Sequence, residues 1–241
     1  MKSIRFKLLI AILIIALVPF GIVSVLSYVN ARDEIEKIVT EELTALREAK
    51  VIQIEDYFKH VNDQIVTFSH NKMIIEAMRE FDDAFDKVSD EYSGSLSSAK
   101  TNMDNYIANE FLPRLEENNL GEAFSVSDFM VSDENALILQ NLYIAENENA
   151  VGEKYLLDRS NGNLTYDDVH EEYHPTILDY LKRFKYYDIF LVEPDDGCIV
   201  YSADKEIDYG TSLKYDLLKR SNFAEVYEEA LTLEKDRKSV V

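Results

Sequence analysis

Apolar positions fall into three textures along the chain. From Leu8 to Tyr28 (LLIAILIIALVPFGIVSVLSY) 21 residues carry no charge, and as a helix they span roughly 31 Å, about one hydrocarbon core. From Val51 the pattern turns periodic: Val51, Ile54, Phe58, Val61, Ile65 and Phe68 recur at spacings of 3, 4, 3, 4 and 3. That is one apolar stripe on a long helix. Ile35, Ile38, Leu43 and Leu46 continue it loosely toward the N-terminus, and no Pro or Gly falls between Ala31 and Phe85. The spacing therefore predicts a helix that leaves the apolar segment without a break. Its stripe can pack on a neighbouring helix of the same chain or on its twin in a homodimer, because core packing and coiled-coil seams share this spacing.

The third texture consists of shorter elements. The polar stretch from Ser89 to Ser98 contains Gly94 and reads as a loop, after which Leu96, Ala99, Met103, Tyr106, Ile107 and Phe111 mark a second amphipathic helix that stops near Pro113 or at Asn118-Asn119. Two antiparallel helices are the economical arrangement. Ser132 can cap a helix reaching about Ala145, residues 146 to 164 are loop-rich, and residues 165 to 185 are helical again, with Pro175 expected to bend or interrupt them. The runs Tyr187 to Glu193 and Cys198 to Ser202, joined by Pro194-Asp195-Asp196-Gly197, predict a β-hairpin. A charged helix from about Leu213 to Leu233 closes the chain.

Charge changes this picture by its placement. The 241 residues hold 46 acidic and 25 basic side chains, yet residues 1 to 31 contain no Asp or Glu and three bases, Lys2, Arg5 and Lys7. The remainder carries a net charge of −24. Bases before the apolar segment place the short N-terminus in the cytoplasm and the rest of the chain outside. So anionic an exterior repels phosphate backbones, which argues against nucleic acid as a partner. Val29-Asn30-Ala31 offers small residues for a signal peptidase, but the apolar stretch is longer than the usual 7 to 15 residues of such signals, which favours an uncleaved anchor. A lone cysteine, Cys198, rules out an intrachain disulfide.

His170-Glu171-Glu172-Tyr173-His174 fits H-E-x-x-H, the spacing that puts two imidazoles on one helical face beside a general-base Glu in zinc peptidases, and Glu193 lies downstream as a third ligand. Pro175 adjoins the second His, the surrounding helix is acid-rich, and no other peptidase motif accompanies it. A charged helix carrying two histidines is the better reading. Phosphate-binding, dinucleotide, nucleophile-elbow and EF-hand patterns are all missing, so the residues suggest neither an enzyme nor a cofactor.

Three blocks between Leu139 and Leu213 resemble the extracytoplasmic Cache-type sensor region of bacterial transmembrane receptors, especially methyl-accepting chemotaxis proteins and some receptor-type nucleotide cyclases. They are LQNLYIAENENAVGEKYLLD, HEEYHPTILDYLKRFKYYDIFLV and GCIVYSADKEIDYGTSL. The resemblance implies an α+β chain: a cytoplasmic N-terminus (1–7), a transmembrane helix (8–28), an extracytoplasmic helical stalk or hairpin (29–120), and a partial PAS-like Cache domain with an antiparallel sheet (121–241). It also implies a single-pass inner-membrane protein, homodimeric through the stalk, that binds a small-molecule ligand. The family pattern continues into about five strands, a second membrane helix and an output domain, so the sequence reads as the N-terminal part of a receptor. Under this resemblance Tyr187 and Tyr201 become aromatic walls for the ligand, Lys205 a partner for a carboxylate and Asp208 one for an ammonium. The plainer alternative makes the two tyrosines core residues and the two charges a surface pair, and a membrane-anchored scaffold without a ligand is the contrasting function.

Overall fold

The computed structural model describes residues 4–118 and 124–238, with side chains described as far as residue 232. Lys2, the division expected at 120/121 and the last three residues lie outside the described residues. The chain forms two compact units, Met1–Phe68 and Ser69–Val241. The first is built on a single helix, α1 (Ile4–Ser69), which runs for 66 residues through Pro19 and buries none of them. It is the one helix among the described residues long and apolar enough to cross a membrane. Val51, Ile54, Phe58 and Ile65 of the stripe are all exposed.

The helix that leaves the apolar segment without a break ends at Ser69, one residue past the stripe. Asn71, in an extended conformation, accepts the Met73 N–H at 2.9 Å and starts a new helix, α2 (Lys72–Phe85), as a short side chain with a backbone-seeking oxygen does at an N-cap. A short α3 (Val88–Glu91), α4 (Leu96–Tyr106) and α5 (Leu112–Asn118) follow. One π-helical turn, Ile107–Phe111, lies between α4 and α5. These helices, grouped by sequence with the stalk, belong to the second unit: Phe81 of α2 packs against Tyr166, Tyr173 and Tyr201.

Asp133, one residue past the expected cap, accepts the Ala136 N–H and opens α6 (Glu134–Gln140), which passes into a second π turn, Asn141–Ala145. Helix α7 (Thr165–Phe184) is unbroken at Pro175. The interruption expected there does not occur: Tyr173, His174 and Ile177 are buried around the proline, while Glu171, whose carbonyl loses its donor, is exposed to water. Lys185 ends the helix in the left-handed conformation, with Lys182 and Arg183 in the last turn where the dipole favours cations.

The expected hairpin is present as β1 (Phe190–Val192) and β2 (Ile199–Ser202), antiparallel, with Phe190 opposite Ser202, Leu191 opposite Tyr201 and a bulge before Val192. Gly197 takes φ +68° in the turn. These two strands form a two-stranded sheet among the described residues, not the five-stranded one implied by resemblance. The return segment extends it irregularly: Ile199 N–H donates to Thr211 O, Gly210 N–H to Ile199 O and Leu213 N–H to Gly197 O. Gly210, at φ +78°, sits where a Cβ would come within 2.9 Å of Ala136, so α6 and the return segment close on each other only through glycine. Helix α8 (Asn222–Lys238) starts later than Leu213 and lays Ala224 and Tyr227 on Ile199 and Leu213. About 70% of the described residues are helical beside this small sheet, an α+β chain in the coarse sense.

Candidate functional site

Helix α7 projects Tyr166, His170, Tyr173, His174 and Ile177 from one face, the i, i+4, i+7, i+8 spacing that lines a helix onto a core. The two imidazoles stack with ring centroids 4.4 Å apart, ringed by Phe81, Tyr143 and Tyr201. His170 Nδ1–H donates to Asp158 O at 2.6 Å, leaving a buried Nε2 without a partner. His174 Nε2–H donates to the carbonyl of Tyr155 at 2.7 Å, which fixes the tautomer and lets the Tyr201 hydroxyl donate to Nδ1 at 2.7 Å. Burial, reinforced by the Lys205 ammonium, holds His170 well below the usual histidine range and His174 at about 3. Both rings are neutral at physiological pH.

The H-E-x-x-H residues therefore part company. Glu171 turns outward to the Arg159 guanidinium at 3.0 Å, and Glu193 caps the hairpin turn by accepting the Asp195 and Asp196 N–H groups. Among the described residues no three His, Cys, Asp or Glu side chains converge as a metal site would require.

Lys205 is 1% exposed and sits at φ +59°. Its Nζ lies 3.1 Å from His174 Nε2 and donates to Ala203 O at 3.3 Å. Since Nε2 gives its hydrogen to Tyr155, the ammonium meets an N–H there and not a lone pair. Burial pulls the lysine down to about 7, against the attraction of Asp188, Asp158 and Asp204. The turn that carries it is held by Asp188, whose carboxylate accepts Ser202 Oγ at 2.7 Å and the N–H groups of Ile189, Ala203 and Asp204. Sequence reasoning passed over Asp188. Its signal is an Asp entering a strand while Ser202 leaves the paired strand one turn before Lys205.

Asp208 follows three residues later. Gln140 Nε2 donates to the carbonyls on both sides of it, Ile207 O and Tyr209 O, each at 2.9 Å, yet Asp208 Oδ1 is buried with no partner. Burial first, then the neighbouring Asp188 and Glu206 charges, lift its carboxyl to about 7 and Asp204 to about 6.

Lys205 and Asp208 are brought to one cavity of about 190 Å³, walled by Tyr106 and Phe111 at the first π turn and by Leu217 and Leu218. Tyr187 and Tyr201 are elsewhere. The Tyr187 side chain is 76% exposed and donates its hydroxyl to Glu206 at 2.9 Å; Tyr201 is wholly buried in the ring cluster around His174. A larger open cleft of about 610 Å³ is lined by Asp82, Asp86, Asp133, Glu193, Asp196 and Asp216, and burial among these acids raises Asp82. Comparison with protein-family models, with curated proteins and with solved structures gives no match to this chain.

Proposed function

We propose that the chain is the membrane-anchored, extracytoplasmic sensor region of a bacterial signal-transduction receptor of the chemotaxis type, with a partial PAS-like Cache domain that binds a small solute. In this reading the N-terminus is cytoplasmic, the segment from Leu8 to Tyr28 crosses the inner membrane once, and two copies pair along the stripe from Val51 to Phe68. Binding breaks no bond; it shifts the paired helices between two packings by favouring one of them.

The observation that supports this best is the unbroken helix α1. One element carries both a span-length apolar segment and a second apolar stripe whose Val51, Ile54, Phe58 and Ile65 stay exposed within the chain. Apolar faces at heptad-like spacing are stable in water when another helix covers them. A second copy supplies the same stripe in the same register.

Cysteine scanning from residue 50 to 66 in membranes tests it. Disulfide-linked dimers should peak at Val51, Ile54, Phe58 and Ile65 and fall at Gln53, Asp56 and Asp63. Uniform or absent cross-linking would remove the paired stalk and the signalling route with it.

A further inference from the structure

The end of α7 concentrates positive charge in an acidic chain. Residues 182–187 (KRFKYY) hold three bases, three aromatic rings and no acid, where the whole chain has 46 acids to 25 bases. Lys182, Arg183 and Lys185 are exposed, and so are the rings of Phe184 and Tyr187. Asp179 holds Arg183 at 2.6 Å, and Lys182 Nζ lies 4.7 Å from the centroid of the Tyr155 ring. Neither lysine makes an ion pair among the described residues. The helix dipole accounts for Lys182 and Arg183. It does not account for Lys185, which lies past the helix end, or for two large rings exposed beside the charges. Exposed aromatic rings grouped with cations are the composition of an interface.

The complementary surface lies on the same unit. The open cleft of about 610 Å³ is lined by seven carboxylates and no base. Three of them accept backbone N–H groups of their own chain. Asp82, Asp86, Asp195 and Asp196 enter no ion pair among the described residues, and Lys214 bonds the carbonyl of Asp195 and not its carboxylate. Burial first, then the charges of Glu193 and Asp86, raise the Asp82 carboxyl, so a cation entering the cleft relieves like-charge repulsion. Phe85 and the exposed Tyr215 add aromatic walls that suit both cations and rings. Strand β1 runs between the basic segment and the turn at residues 193–197 that borders the cleft. A chain's own basic end and cleft therefore lie at opposite ends of that strand, and the match is open to another copy.

We propose that the basic aromatic end of α7, Lys182 to Tyr187, docks into the acidic cleft of a second copy of this chain. Lys182 and Lys185 meet Asp82, Asp86, Asp195 and Asp196 there, and Phe184 meets the aromatic wall. Two copies carry the same net charge of −21, but at physiological ionic strength that repulsion fades beyond about 8 Å, while partly buried pairs in contact are screened much less. The contact is head-to-tail: each copy offers its basic end to one neighbour and its cleft to another, so it builds rings or rows. It rests on the surface of the second unit and not on the sensor reading, and it adds to any pairing along α1.

Sedimentation velocity of the full chain in detergent micelles, with charge reversal on either side, tests this. Wild type should form assemblies larger than a pair. Lys182→Glu with Lys185→Glu, or Asp195→Lys with Asp196→Lys, should each raise the concentration needed for assembly at least about tenfold, because like charges then face each other. All four side chains are exposed. An equal mixture of the two reversed chains should restore assembly, since every reversed surface then meets its complement, which misfolded variants could not do. Wild type that forms nothing larger than a pair overturns the proposal. So do reversed chains that assemble as wild type does, and a mixture that fails to restore assembly. Wild type that instead co-sediments with phosphatidylglycerol vesicles, and loses this on reversal of the two lysines, gives the basic end to a lipid surface and overturns the proposal too. Disulfide cross-linking at Phe58→Cys reports pairing along α1 separately, so each of these failures leaves the sensor reading standing.

Discussion

Helix α1 runs for 66 residues and buries none of them, while α7, at 20 residues, buries seven, including an aspartate and two histidines. The more apolar helix is the exposed one. Hydrophobicity alone therefore does not say where a helix ends up; what decides is whether the chain supplies a surface of matching shape. Around α7 it does, through Phe81, Tyr143, Tyr201 and the backbone carbonyls of Asp158 and Tyr155. Around α1, in the proposed function, lipid covers one segment and a second copy the next.

Alanine substitution breaks the contrast most sharply. Phe81 is wholly buried and faces four rings, so Phe81→Ala should cost about 3–5 kcal/mol, the usual loss for a large aromatic cavity. Phe58→Ala, at an exposed stripe position, should change the stability of the second unit by less than ~0.5 kcal/mol and weaken dimer cross-linking instead. Near-ultraviolet circular dichroism under urea, measured on the full chain, separates the two. Equal effects would show that the two units are not independent in stability.

Asp167 gives the next effect. Its carboxylate accepts Tyr143 OH at 2.7 Å, Ser160 Oγ and the Leu164 N–H at 2.8 Å, all in the interior. Asparagine keeps one acceptor oxygen of two, so Asp167→Asn leaves a buried donor unpaired and should cost about 1–3 kcal/mol by the same urea midpoint. A neutral outcome would mean that the polar network adds nothing to the ring cluster.

Lys205 sets a pH dependence. Its folded value, about 7, lies below the ordinary 10.4 of a lysine, so between those values the unfolded chain binds the extra proton and stability rises with pH. Asp208, lifted to about 7, works in the opposite sense below neutrality and is spent above it. From pH 7.5 to 8.5 wild-type stability should therefore climb by up to ~1.4 kcal/mol per unit, the limit for one proton. Lys205→Met should flatten that slope. A slope unchanged in the variant would assign the proton to another group.

What the sequence disclosed follows the same division. The apolar segment, the stripe and the hairpin were legible because each is written in local periodicity or in a turn dipeptide such as Asp196-Gly197. The break at Asn71 was legible only in hindsight, as a capping side chain inside an otherwise helical run. Pro175 does not interrupt its helix because local propensity yields to the packing of seven buried residues on that helix. For His170 and His174 the spacing shows that they share a face, and does not show that carbonyls from Asp158 and Tyr155 arrive there. Lys205 and Asp208 were singled out as charges near a hairpin. That the lysine ends beside His174 while one Asp208 oxygen is buried without a partner depends on His174, Gln140 and Asp188, all remote in sequence.

Charge pairs give the smallest expected effect, and they test whether the two regions differ in anything besides apolar burial. Lys37–Glu41 on α1, at 4.0 Å, and Arg183–Asp179 on α7, at 2.6 Å, are both i,i+4 pairs with side chains more than half exposed. Pairs of this kind contribute about 0.3–0.5 kcal/mol, screened further by salt. Lys37→Ala and Arg183→Ala should therefore be alike, each within ~0.5 kcal/mol of wild type, the first in dimer stability and the second in unfolding. If Lys37→Ala cost much more, the face carrying Lys37 would lie against a partner and not in water, and the seam between copies would extend toward the membrane well beyond Val51.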